Sequence, residues 1–301
     1  MRTFFPVITA VLLILTGTPA FSAVNIFACE PEWAALAQEL GGDRVAVVSA
    51  TTALQDPHRI EARPSLIARI RNAELVVCSG SELEIGWLPL LLSQSGNARI
   101  QPGSPGFLEA SQFVVRLEIP KVVDRSLGDI HPGGNPHVHL DPRNIAKVAE
   151  VLAARLAEID HANAGIYATR VADFMKRWQA AMQRWQEQAA PLRGVPVVVY
   201  HKDMSYFIGW SGMREVGSLE PRPGIPATAS HLGALVDAMR RNPPRVIVYS
   251  AYNNPKAAEF LSERANVPKV MLPFTVGGSA KAKDLFGLFD DTIERLLGAL
   301  K

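Results

Sequence analysis

Short apolar runs alternate with amphipathic stretches along nearly the whole chain, and that alternation constrains the fold more than any other feature of the sequence. Val24–Cys29, Val45–Ser49 and Leu75–Cys78 read as buried strands. Between and after them, Glu32–Leu40, Arg63–Asn72 and Ile85–Ser93 carry apolar residues at helical spacing. A further strand is expected over Phe113–Leu117. The pattern returns after residue 193, with strands expected at Val195–Tyr200, Val246–Tyr249 and Lys269–Leu272, and helices at His231–Arg240, Pro255–Asn266 and Asp284–Leu300. Strand–helix alternation requires crossovers, and crossovers give parallel sheets covered by helices. Two long helical patterns separate the halves. The first follows Asp141 and Pro142, a capping acid and a first-turn proline, and runs to about Ile159. The second, Asn163–Ala189, carries Tyr167, Val171, Phe174, Trp178, Met182 and Trp185 in steps of three and four, an apolar stripe that reads as core packing. The expected architecture is α/β, with two lobes, each a mainly parallel sheet flanked by helices, joined by one long helix. The expected boundaries are a leader at 1–22, an N-terminal lobe at 23–160, a linking helix at 161–192 and a C-terminal lobe at 193–301.

The leader is a secretory signal by pattern: Arg2, then the apolar stretch Val7–Leu15, then Ala20-Phe21-Ser22 with small residues where a signal peptidase needs them. No cysteine lies near that point to carry a lipid. The mature chain is therefore expected to be soluble, monomeric and periplasmic. A formal charge of +2 gives no basic face for nucleic acid or an anionic membrane. Cys29 and Cys78 each close an apolar run; on neighbouring parallel strands their sulfurs lie at the same sheet end, which leaves a disulfide and two buried thiols both open.

Three histidines far apart in the chain sit in settings that suit a metal ligand. His58 and His137 each follow a proline, which restricts the backbone ahead of the ring, and His201 ends a strand-like run. Side chains at the ends of parallel strands point into the crevice where open α/β sheets bind ligands. Imidazole donors favour zinc over the oxygen-seeking magnesium or calcium, so a metal site in the cleft between the lobes is expected. His139, separated from His137 by Val138, is a spare donor, and His131, in a loop with Asp129 and glycines, is placed to pick up a metal and pass it inward. An exported zinc-dependent hydrolase is the rival class. It needs a general base near the metal, for which Glu84 and Asp203 are candidates by position, but no H-E-x-x-H signature is present.

The motifs Asp56-Pro57-His58, Asn135-Pro136-His137-Val138-His139-Leu140-Asp141-Pro142, Tyr200-His201-Lys202-Asp203 and Ile225 to Leu232, in that order, give a chain that resembles the zinc- and manganese-binding substrate-binding proteins of metal ABC transporters. The resemblance spans essentially the whole mature chain. It implies no enzyme activity, a Zn2+ ion bound as transported cargo, and an inner-membrane ABC permease as partner, with a periplasmic metal donor protein as a second partner class. It places metal ligands at His58, His137 and His201. Manganese-binding relatives usually carry glutamate at the third position, so His201 points to the zinc-binding branch; the same fold also binds manganese or a metal chelate. Three departures stand out: His139 occupies a place where many relatives have tryptophan, the histidine-rich loop of zinc-binding relatives is short here, and the aspartate often found near Met271–Gly278 is missing. Asp284 is the nearest downstream acid and the nominated fourth ligand, with His139 or water as the alternatives.

Overall fold

A computed structural model describes residues 23–124 and 128–301; the expected leader lies outside the described residues. Strands β1 (Val24–Ala28), β2 (Val45–Ser49), β3 (Leu75–Cys78) and β4 (Phe107–Glu109) form one sheet in the order β2-β1-β3-β4. Strands β5 (Pro196–Val199), β6 (Arg214–Ser218), β7 (Val246–Ser250) and β8 (Lys269–Leu272) form a second in the corresponding order β6-β5-β7-β8. All pairings between these strands are parallel. In each sheet the chain steps to one side after its first strand and to the other after its second. The topological switch points therefore fall between β1 and β3 and between β5 and β7, where side chains at the carboxyl ends of the strands surround a crevice.

The helices are α1 (Pro31–Gly41), α2 (Pro64–Arg71), α3 (Leu88–Ser95), α4 (Pro142–Ile159), α5 (Ala164–Gln188), α6 (Ser205–Ser211), α7 (Ala229–Arg241), α8 (Lys256–Ala265) and α9 (Leu285–Ala299). The 25 residues of α5 extend about 38 Å at 1.5 Å per residue, enough to pass both sheets. Its aromatic stripe faces inward. Phe174 and Trp178 stack at 5.2 Å, and Trp178 and Trp185 meet Phe286 and Phe289 of α9. The indole N–H of Trp178 donates to Pro142 O at 2.8 Å and that of Trp185 to Asp290 at 2.6 Å, so both buried donors are satisfied. One apolar cluster includes residues of both sheets, α4, α5 and α9. The lobes thus share a core rather than hanging on a bare hinge.

Three sequence expectations need correction. Phe113–Leu117 is not a strand: Val115 is 82% exposed, and the fourth strand of the sheet is instead the short Phe107–Glu109. The third helix starts at Leu88, because Pro89 lacks an N–H and suits a first-turn position. Strand β6 and helix α6 were not anticipated.

Candidate metal centre

His58 follows β2 in a tight turn. Asp56 Oδ1 accepts both the backbone N–H of His58 (3.0 Å) and its Nδ1–H (2.7 Å). Pro57 O is held by the indole of the buried Trp87 at 2.9 Å. With the proton drawn to Nδ1, the lone pair sits on Nε2. His201 repeats the device at the end of β5: Nδ1 donates to Glu220 Oε2 at 2.6 Å, and the same oxygen accepts the backbone N–H of Gly224 at 2.8 Å. Burial opposes the charged form of His201, but the hydrogen bond to Glu220 and the carboxylates of Asp203, Glu220 and Asp56 outweigh it and raise its pKa.

His137 is different. Asn135 Oδ1 accepts its backbone N–H at 3.0 Å, and Asn135 is itself tied to Glu118 and Lys202 O through its amide. The ring is 1% exposed, yet neither Nδ1 nor Nε2 has a partner. Burial, followed by the neighbouring imidazoles, holds its pKa well below the usual histidine range. A buried neutral imidazole with an unused lone pair is costly unless a ligand takes it.

The ring centroids of His58, His137 and His201 lie 5.4, 5.4 and 5.6 Å apart, and one donor nitrogen from each falls within 4.8 Å of the others. Tetrahedral zinc with bonds of roughly 2.0–2.1 Å has nitrogen–nitrogen edges of about 3.3 Å, so the three rings close in around an ion by at most about 1.5 Å. The ring of Phe274, 5.4 Å from His137, forms an apolar wall beside the cluster. A cavity of about 230 Å³, lined by His131, His137, His201, Asp129, Glu118 and Lys202 among others, adjoins the rings.

His131 approaches His58 from its loop and lines the same cavity. Its Nε2 lies 3.3 Å from His58 Nε2 and its Nδ1 lies 3.1 Å from Ser81 O. Burial, then the neighbouring His58 and His201, depress its pKa to about 3. His139 does not join the cluster. It is fully buried, with Nε2 donating to Phe274 O at 2.9 Å and Nδ1 3.0 Å from Glu32 Oε1, while Glu32 also holds Thr275. These contacts fasten the segment after β8 to the first lobe and seat Phe274 beside His137.

Asp284 is not brought to the site. It is exposed, its Oδ1 accepts the N–H of Gly287 at 2.7 Å, and it N-caps α9. Asp284→Ala should leave metal affinity unchanged and cost about 1 kcal/mol of stability through the lost cap, measurable by urea denaturation. The two acids considered for a hydrolytic base are also engaged. Both oxygens of Glu84 accept backbone N–H groups of Ser79 or Gly80, and burial pushes its pKa to about 7. Asp203 accepts from Ser250 and Tyr252. Cys29 and Cys78 form a disulfide across the carboxyl ends of β1 and β3. Sequence reasoning missed Glu220 as the partner of His201. It lies just past the unanticipated β6, and no local motif marks it.

Residues 26–299 match the family model described as zinc-uptake complex component A, periplasmic. Among curated proteins, the chain is 22% identical over 270 residues to the high-affinity zinc uptake system protein ZnuA of Paracoccus denitrificans, covering 79% of each. It is 23% identical over 220 residues to the manganese-binding lipoprotein MntA of Halalkalibacterium halodurans, covering 72% of this chain and 67% of that one. A crystal structure of ZnuA superposes with a TM-score of 0.77 at 22% identity, covering 93% of this chain and 100% of that one.

Proposed function

The chain belongs to the periplasmic zinc-uptake complex component A family, and on that footing we propose that it captures Zn2+ in the periplasm and delivers it to an ABC-type importer in the inner membrane. It is a binding protein of such importers, not an enzyme. His58, His137 and His201 hold the ion as cargo. The observation that carries this reading is the convergence of three imidazoles, one of them buried with both ring nitrogens unpartnered.

Relatives carry both zinc and manganese in their names, and the donor set favours zinc. Manganese prefers carboxylate, carbonyl and water oxygens, whereas imidazole suits zinc. Asp56 and Glu220, the acids bonded to the ligand rings, are engaged by Nδ1–H groups of His58 and His201. They act one shell out, fixing ring orientation and raising donor basicity. Competition titrations of the metal-free protein should therefore give zinc a Kd lower than that of manganese by at least about two orders of magnitude. Equal affinities, or manganese as the ion found in protein purified from its native compartment, would overturn the zinc assignment.

A further inference from the structure

We propose that His131 is a fourth metal-ligating imidazole, delivered by a segment seated on the left-handed turn at residues 80–82, and that this all-nitrogen shell sets zinc above manganese. The inference rests on the reading that His58, His137 and His201 hold the ion.

Hydrogen-bond partners determine which nitrogens carry protons. Ser81 O can only accept, so His131 Nδ1, 3.1 Å away, carries the hydrogen and Nε2 carries the lone pair. Asp56 imposes the same tautomer on His58. In the neutral rings the two Nε2 atoms then face each other at 3.3 Å with a lone pair on each. A proton shared between them or a metal cation satisfies that contact, and the spacing equals the nitrogen–nitrogen edge of about 3.3 Å expected in a tetrahedral zinc shell. Two other candidate donors are set aside: His139 donates to Phe274 O with its other nitrogen 3.0 Å from Glu32, and Asp284 caps α9.

The seat is built at a cost in backbone conformation. Gly80, Ser81 and Glu82 have φ of +78°, +53° and +64°, a left-handed run in which two residues carry side chains. Glu84 braces it by accepting the N–H groups of Ser79 (2.8 Å) and Gly80 (3.2 Å), and Glu30 accepts the Ser79 hydroxyl at 3.1 Å. What the run achieves is to aim Ser81 O at His131. The next turn lies flush on it, since a Cβ added at Gly133 would meet the Cα and Cβ of Ser81 at 3.2 Å. On the opposite side, Asp129 N donates to Pro223 O of the second lobe at 2.8 Å, so the segment is held from both lobes.

Zinc-edge X-ray absorption of the loaded mature protein should show four imidazoles, falling to three in His131→Ala. Competition titration should show zinc affinity falling on the order of 10- to 100-fold in His131→Ala, with manganese affinity nearly unmoved. Gly133→Val keeps His131 in the chain but lifts it from its seat, and should weaken zinc in the same direction. Circular dichroism melts of the metal-free variants check that both fold. Unchanged zinc affinity or an unchanged four-imidazole signature in His131→Ala overturns the proposal. If the alanine variants of His58, His137 and His201 lose zinc while His131→Ala does not, only the fourth ligand falls; if all four bind zinc as before, the three-histidine reading itself falls.

Discussion

His137→Ala is expected to weaken zinc binding by about a hundredfold while costing the metal-free protein little stability. Structural zinc sites release apparent free energies of roughly 10–16 kcal/mol, so one ligand in four stands for about 3 kcal/mol, or on the order of two decades in Kd. The second half of the expectation follows from the ring's surroundings. In the metal-free protein, His137 buries two nitrogens that bond to nothing, and each such group costs about 1–3 kcal/mol. Alanine removes that penalty along with the packing of the ring against Phe274, and the two changes oppose each other. Thermal melts with and without zinc separate the effects. The zinc-dependent stabilisation should shrink by about 2.7 kcal/mol at a fixed excess of metal, while the metal-free midpoints stay close. A variant that is stabilised by zinc as strongly as the parent would remove His137 from the ligand set.

The fold was legible where it rests on apolar periodicity. β1, β3, β5 and β7 are fully or largely buried central strands and read as continuous apolar runs. The stripe on α5 recurs every three or four residues. Legibility failed at the edges. β6 has the sequence REVGS, pairs among the described residues with β5 alone, and keeps its side chains half exposed, so it lacks a strong strand pattern. α6 spans seven residues, too few for periodicity to register. Phe113–Leu117 reads as a strand because it is mostly apolar and holds two valines, yet no neighbouring strand pairs with it among the described residues.

The three central imidazoles of the site were legible for a local reason: a proline or a strand end marks each one. The groups that tune them were not. Glu220 reaches His201 across the end of β6, and Ser81 reaches His131 across fifty residues. A sequence shows neither contact, because both depend on how the two strand ends are placed. Asp284 misled for the converse reason. A capping acid and a liganding acid look alike in sequence, and only the hydrogen bond to Gly287 N tells them apart.

Removing the Cys29–Cys78 disulfide should be the most damaging covalent change to stability. The two cysteines are separated by 49 positions, and closing a loop of that size restricts the unfolded chain by about 4 kcal/mol in the chain-entropy treatment. The bond joins the carboxyl ends of β1 and β3, at the switch point of the first sheet, and both residues are 0% exposed. Reductant should therefore fail to cleave it in the native protein and succeed once denaturant opens the lobe. The Cys29→Ala, Cys78→Ala double variant should unfold at a lower urea concentration, with a thermal midpoint lower by roughly 10 °C. Because Cys78 leads directly into the turn that carries Ser81, the variant should also lose zinc affinity, by less than His131→Ala does, through a less firmly held seat rather than a missing ligand. Zinc saturation should recover part of the lost stability, since the ion joins segments from both lobes. Coincident unfolding curves for parent and double variant, each measured without metal, would show that the cross-link does not stabilise the fold.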